Sequence, residues 1–79
     1  MRLGSLRVAT VDGTGRWGYL VNLDDRVEVE RVKRKIEAER DQGYFRAVPG
    51  ELAFTEEEYS PERQAQEKNY YLAGRSKGA

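Results

Sequence analysis

The 79-residue chain contains no cysteine and no histidine. Without cysteine it has no disulfide, no thiolate zinc site, no iron–sulfur cluster and no cysteine nucleophile. Without histidine it lacks the usual general base near neutral pH, the commonest transition-metal ligand and any Ser-His-Asp triad. These absences predict a protein that is not an enzyme and that holds no metal ion or other cofactor.

Long apolar runs are absent as well. The first residues lack the apolar stretch of about 7–15 residues that a signal peptide requires, and no segment approaches the roughly 20 residues of a membrane span. Together with the missing cysteine, this predicts a cytoplasmic protein without a membrane partner. Because 38% of the residues are hydrophobic, the chain can fill one modest core. We therefore expect a single domain over residues 1–74 and a flexible tail over residues 75–79.

The charges balance in total but not along the chain. The chain has fourteen basic and fourteen acidic side chains, so its net charge is zero. The zero net charge and the eight aromatic residues argue against a disordered chain. Residues 51–67 nevertheless contain six glutamates and one arginine, so the rest of the chain is net positive. The run Glu56-Glu57-Glu58 is expected on a loop or in a first helical turn, where its carboxylates diverge and form no metal site. Opposite patches of this kind can steer a partner or favour self-association.

Two β-favouring runs, residues 6–11 and 17–23, flank an Asp-Gly turn signal and predict an N-terminal β-hairpin. The glycines at 13, 15 and 18 match Gly-x-Gly-x-x-Gly, but a dinucleotide-binding loop needs a helix after its last glycine. A strand follows here, which favours glycines that serve a hairpin turn and a bulge. One face of the second strand is expected to carry Trp17, Tyr19, Val21 and Leu23, opposite Leu6 and Val8.

A charged central helix is predicted over residues 30–40. Asp25 can act as its N-cap with Glu28 completing a capping box, and Gly43 lies where a C-terminal cap belongs. Residues 26–29 either begin this helix or extend the preceding strand. The spacing i, i+3 and i+7 gives the helix one narrow apolar stripe, which consists of Val29, Val32 and Ile36.

A third strand is expected next over residues 44–48, and residues 51–55 are a candidate fourth strand that would pair with it across Pro49-Gly50. A second helix should begin with Ser60 as cap and Pro61 in the first position, and stop at Gly74. The sequence thus predicts the α+β class: an N-terminal β-hairpin, a central charged helix, one or two further short strands and a C-terminal helix.

Aromatic residues give the leading functional hypothesis. The chain has more of them than one small core can hold, and tyrosine is enriched at protein interfaces. We therefore expect a non-enzymatic protein-binding module, such as an accessory subunit or a regulator or inhibitor of a larger assembly. A phage-encoded modulator would suit the size, and a second copy of the chain is an alternative partner. The candidate contact residues are Trp17, Tyr19, Tyr59, Tyr70 and Tyr71.

The alternative hypothesis is a nucleic-acid-binding module that uses the hairpin and the basic stretch of the first helix. Basic side chains would neutralise phosphates and exposed aromatic rings would stack on bases. Glutamates interleave with the basic residues of the helix, a pattern that is also typical of a solvated charged face. The residues that would carry this function are Arg16, Arg31, Lys33, Arg34, Lys35 and Arg46.

Overall fold

The computed structural model describes residues 1–11 and 16–77, with residues 75–77 described as helical backbone only. The element order is β1 (Leu3–Ala9), β2 (Arg16–Asn22), α1 (Arg26–Asp41), β3 (Phe54–Glu58) and α2 (Pro61–Lys77). This arrangement confirms the predicted α+β class. Neither helix of the described part of the chain is both long and apolar enough to cross a membrane.

β1 is the central strand of a three-stranded antiparallel sheet with the order β2-β1-β3. The predicted hairpin is confirmed, with Val8 opposite Trp17 and Leu6 opposite Tyr19. Residues directly opposite each other in an antiparallel pair lie on the same face of the sheet, so the predicted apolar face is confirmed too. The turn glycines Gly13 and Gly15 lie outside the described residues.

α1 packs on this apolar face and completes the core. Two residues of its predicted stripe, Val29 and Ile36, are fully buried, and Val32 packs against them while half-buried. The strand residues of the same cluster are Leu6, Val8, Val21 and Leu23.

The N-terminus of α1 differs in part from the prediction. The helix begins at Arg26, so the extension of the preceding strand through residues 26–29 is wrong. Asp25 is the N-cap, and its carboxylate accepts a hydrogen bond from the Glu28 backbone N–H at 3.1 Å. The Asp25 backbone N–H, which a capping box would pair with Glu28, donates to the Asn22 carbonyl at 3.0 Å, and the Glu28 carboxylate accepts the Asn22 backbone N–H at 2.6 Å. Half of the predicted capping box is therefore replaced by a link between the helix and β2.

The C-terminus of α1 ends in a Schellman motif. Gly43 has a φ of 86°, a left-handed conformation that glycine adopts without a steric penalty. The Gly43 N–H donates to the Arg40 carbonyl and the Tyr44 N–H to the Glu39 carbonyl, each at 3.0 Å. The predicted glycine cap is confirmed, and it turns the chain back toward the hairpin.

The segments after α1 form one strand, within the predicted one or two, but its position differs from the prediction. Residues 44–48 make only an isolated bridge, between Ala47 and Thr10. The strand β3 comes three residues later than the predicted 51–55 and pairs with β1, with Phe54 opposite Val8. The backbone groups on the second side of β1 need hydrogen-bond partners, and β3 supplies them. β3 is thereby an outer strand of the sheet, and such edge strands tolerate charged side chains. The glutamate run predicted for a loop or helical turn is therefore part of β3.

α2 begins as predicted and continues further than predicted. The Ser60 hydroxyl accepts the Arg63 backbone N–H at 3.2 Å, as an N-cap does, and Pro61 is the first helical residue. The helix passes through Gly74, because an internal glycine costs only about 1 kcal/mol, and ends at Lys77.

α2 is held against β1 by a side-chain amide. Gln64 accepts the Leu3 backbone N–H at 3.0 Å and donates to the Tyr59 carbonyl at 2.8 Å. It therefore continues the ladder between β1 and the end of β3. Leu3 and Ser5 lie on the face of β1 opposite α1 and are buried, and α2 is the helix that contacts β1 beside them.

Candidate protein-binding cleft

The free edge of β2 lies in a cleft of about 550 Å³ between α1 and α2, which we call the edge cleft. β2 pairs with β1 on one side only, and the two helices flank its other side. The lining residues are Gly18, Tyr19 and Leu20 from β2, Glu28, Val32 and Lys35 from α1, and Tyr70, Tyr71 and Gly74 from α2.

The register shows which backbone groups of β2 face this cleft. The Leu23 N–H donates to the Arg2 carbonyl of the neighbouring segment at 2.7 Å, whereas the Asn22 N–H points the other way, to Glu28. Since hydrogen-bonding direction alternates along a strand, the N–H and C=O of Leu20 point away from β1, as do those of Gly18. Within the described part of the chain they have no strand partner, and such an edge is a template for another chain.

Glu28 fixes the end of the edge cleft. Its carboxylate accepts the Asn22 N–H and, at 2.7 Å, the hydroxyl of Tyr71. One side chain thus connects α1, β2 and α2. The cleft is closed at Asn22 by this contact and remains open along Leu20.

A second polar contact fixes the wall formed by β2 and α1. The Glu39 carboxylate accepts hydrogen bonds from Trp17 Nε1 at 3.1 Å and from the Tyr19 hydroxyl at 2.5 Å. The Lys35 ammonium lies 4.5 Å from the centroid of the Tyr19 ring. Burial and the adjacent Glu39 carboxylate raise the pKa of Tyr19 to about 12, so its phenol remains a neutral donor at neutral pH.

We expect Tyr19 to be a late-titrating tyrosine. Its pKa rises from 10.0 to about 12 on folding, so its contribution to stability is complete below pH 10 and is lost as the pH rises through 12. An absorbance titration of tyrosinate should show a step near pH 12 that disappears in Tyr19→Phe. The control Tyr70→Phe should keep that step, and its survival in Tyr19→Phe would contradict the contact with Glu39.

The five aromatic residues predicted to contact a partner occupy different places. Tyr19, Tyr70 and Tyr71 line the edge cleft, where Tyr70 is 75% exposed and Tyr71 only 7%. Tyr59 is 8% exposed, and the Arg63 guanidinium lies 3.8 Å from its ring centroid, so it is part of the interior. Trp17 stacks on Phe45 with centroids 5.2 Å apart, beyond the edge cleft.

The basic residues proposed for nucleic acid do not form one surface. Lys35 lies toward β2, over Tyr19, whereas Lys33 lies toward β3, 5.5 Å from the ring centroid of Phe54. Arg31 and Arg34 are exposed on α1. The basic side chains of residues 31–35 thus point in three different directions around α1.

Arg16 and Arg46 are brought together elsewhere, in a cleft of about 430 Å³ that we call the hairpin-end cleft. It lies where the described ends of the hairpin meet the segment after α1, and the Val11 N–H donates to the Arg46 carbonyl at 2.8 Å. Its side chains include Val11, Arg16, Trp17, Tyr44, Phe45 and Arg46.

Two of the three glutamates of β3 form ion pairs with arginines. Glu56 pairs with Arg26 at 2.9 Å and Glu58 with Arg2 at 3.1 Å. The hydrogen bond from Arg26 lowers the pKa of Glu56 below its usual value. Within residues 1–11 and 16–77, no group of three or more carboxylates is placed to hold a metal ion.

Sequence reasoning missed Leu20 and Glu28 as elements of the edge cleft. Leu20 contributes its backbone N–H and C=O rather than its side chain. A sequence pattern could not identify it, because no residue type indicates which edge of a sheet is free. Glu28 was assigned to a capping box, although the same acidic residue in a first turn can equally reach a neighbouring strand. The predicted contact residues Tyr19, Tyr70 and Tyr71 were the signal that pointed toward this cleft.

Comparison of the chain with protein-family models, with curated proteins and with solved structures finds no match. The edge cleft combines an open strand edge with two walls that are fixed by Glu28 and Glu39.

Proposed function

We propose that this protein is a protein-binding module that takes an extended segment of a partner protein onto the free edge of β2. The observation that carries the proposal is the open backbone of Leu20 in the cleft between α1 and α2. In strand addition, main-chain hydrogen bonds give affinity and alternate side chains give specificity. An accessory or regulatory role would follow from the partner that is bound.

The walls of the cleft define the chemistry of the segment. Successive side chains of an added strand point alternately to the two faces of the sheet. On the α1 side they meet Val32 and the positive charge of Lys35, which favour an apolar and an acidic residue. On the α2 side they meet Tyr70, whose exposed ring offers a large contact area at little cost in conformational entropy.

A photo-crosslinking amino acid at position 70 tests the site in cells of the native host. We expect it to capture a specific protein that the same amino acid at position 27 does not capture. Val27 is a matched control because it is 67% exposed on α1 and does not line the cleft. Equal capture at both positions, or a product of twice the mass of the chain, would contradict the proposal.

Binding to the purified partner then tests strand addition itself. Leu20→Pro removes the outward N–H, and proline is tolerated where the N–H of an edge strand faces solvent. Leu20→Ala keeps the N–H and removes the side chain. We expect Leu20→Pro to bind at least about tenfold more weakly than Leu20→Ala, which corresponds to roughly one to two lost hydrogen bonds. Equal affinities would show that the β2 backbone does not bind the partner.

A further inference from the structure

The hairpin-end cleft combines aromatic rings with positive charge and shares no lining residue with the edge cleft. Three of its side chains are aromatic and two are arginines. Among the described residues that line it there is no carboxylate. The two arginines favour an anionic ligand, although the Trp17 indole N–H on the same wall donates to the Glu39 carboxylate.

The rings are placed for stacking. Trp17 and Phe45 lie nearly parallel, with an interplanar angle of 14°, and form one wall of the cleft. Tyr44 is 63% exposed and presents an open ring beside them. The segment that carries Tyr44 and Phe45 is fixed at both ends, by the Schellman motif at Gly43 and by the bridge between Ala47 and Thr10. Tyr44 and Phe45 therefore lie on a segment that backbone hydrogen bonds hold at both ends.

We propose that the hairpin-end cleft binds single-stranded nucleic acid, with a base stacked on its aromatic rings and Arg16 and Arg46 at the flanking phosphates. Every base can stack on these rings because each base has a π face. An arginine guanidinium adds a positive charge and planar hydrogen-bond donors for a phosphate. A volume of about 430 Å³ limits the contact to a short stretch of the strand. The site does not use the basic stretch of α1, which differs from the broad surface expected from the sequence.

Trp17 is the only tryptophan of the chain and lines this cleft, so its fluorescence responds to a ligand that binds there. We expect short oligo-dT and oligo-rU to quench it at about 50 mM salt, with an affinity that falls as salt rises. Two phosphate contacts predict a slope of about −1.4 for log K against log salt concentration, at about −0.7 per phosphate of a single strand. No quenching by either oligonucleotide would overturn the proposal.

Two matched double variants separate the cleft from general electrostatics. Arg16→Glu with Arg46→Glu should abolish quenching, whereas Arg31→Glu with Arg34→Glu, the same change of charge on the exposed face of α1, should leave the affinity within about twofold. An unchanged circular dichroism spectrum would show that both fold. Equal loss in both variants would overturn the site.

Stacking is tested at Tyr44. Tyr44→Ala should weaken binding roughly 5- to 150-fold, the range measured for loss of one stacked base, whereas Tyr44→Phe should bind like the wild-type chain. Quenching by duplex DNA as strong as by the single strand, or by poly-glutamate as strong as by the oligonucleotides, would overturn the proposal. The second result would assign the cleft to an acidic protein segment.

Discussion

Gly4→Ala will destabilise the protein by about 3 kcal/mol, near the upper end of what overpacking normally costs. A Cβ added at Gly4 would lie 2.2 Å from the Glu57 carbonyl oxygen and 2.8 Å from Cδ1 of Leu23. The first contact is with backbone, and that oxygen belongs to the residue paired with Ser5 in the ladder between β1 and β3. It cannot move away without disrupting that ladder. A domain of this size has a total stability of roughly 4–12 kcal/mol, so the loss is a large fraction of it.

Urea denaturation followed by circular dichroism measures this effect, with the slope of the transition as a check that the unfolded states are comparable. Gly74→Ala is the matched control. A Cβ at Gly74 would have nothing within 4 Å, and alanine within a helix is more stable than glycine by about 1 kcal/mol. The two substitutions should therefore shift the midpoint in opposite directions. A Gly4→Ala midpoint equal to that of the wild-type chain would contradict the close contact between β1 and β3.

The elements that sequence reasoning placed correctly are those with local signals. The hairpin has alternating apolar residues around a turn, and α1 has an N-cap at Asp25 and a glycine at position 43. The N-cap at Ser60 and the proline at the first position of α2 are equally local. Each of these features depends on residues within a few positions of one another. A sequence pattern can therefore indicate them without knowledge of the tertiary contacts.

The strands after α1 were misplaced because their position depends on distant residues. Residues 44–48 have strand propensity, but the available edge of β1 is taken up by β3, whose glutamates have low strand propensity. Glu56 and Glu58 are accommodated because Arg26 and Arg2 lie beside them. Neither arginine is near these glutamates in sequence, so no local rule predicts the pairing.

The same limit applies to the candidate sites. Exposure of at least one of Tyr59, Tyr70 and Tyr71 could be expected from the sequence, because a small core cannot bury all three, but the sequence does not show that Tyr70 is the exposed one. The division of the basic stretch among three directions of α1 also follows from helical periodicity, once the buried stripe is known. The proximity of Arg16 to Arg46 does not, because it depends on how the chain turns at Gly43 and bridges at Ala47.

Glu28→Ala will destabilise the protein by about 3 kcal/mol and release the end of α2. The carboxylate accepts two hydrogen bonds, from the Asn22 N–H and the Tyr71 hydroxyl, and bonds to charged groups contribute about 1.5–3 kcal/mol each. Amide hydrogen exchange should show faster exchange in the second half of α2 than in α1. Glu30→Ala is the matched control, since Glu30 is exposed on the same helix and its ion pair with Lys33 is 3.6 Å long. An exposed pair of this kind contributes about 0–1 kcal/mol.

A double-mutant cycle of Glu28→Ala with Tyr71→Phe separates the contact to α2 from the contact to β2. Because the two side chains share one hydrogen bond at 2.7 Å, we expect a coupling energy of about 1–2 kcal/mol. Glu28→Ala alone should cost more than Tyr71→Phe alone, since only the former also removes the partner of the Asn22 N–H. A coupling energy near zero would contradict the role of the contact between Glu28 and Tyr71 in fixing the α2 wall of the edge cleft. The hairpin-end cleft, which contains no residue of α2, does not depend on that result.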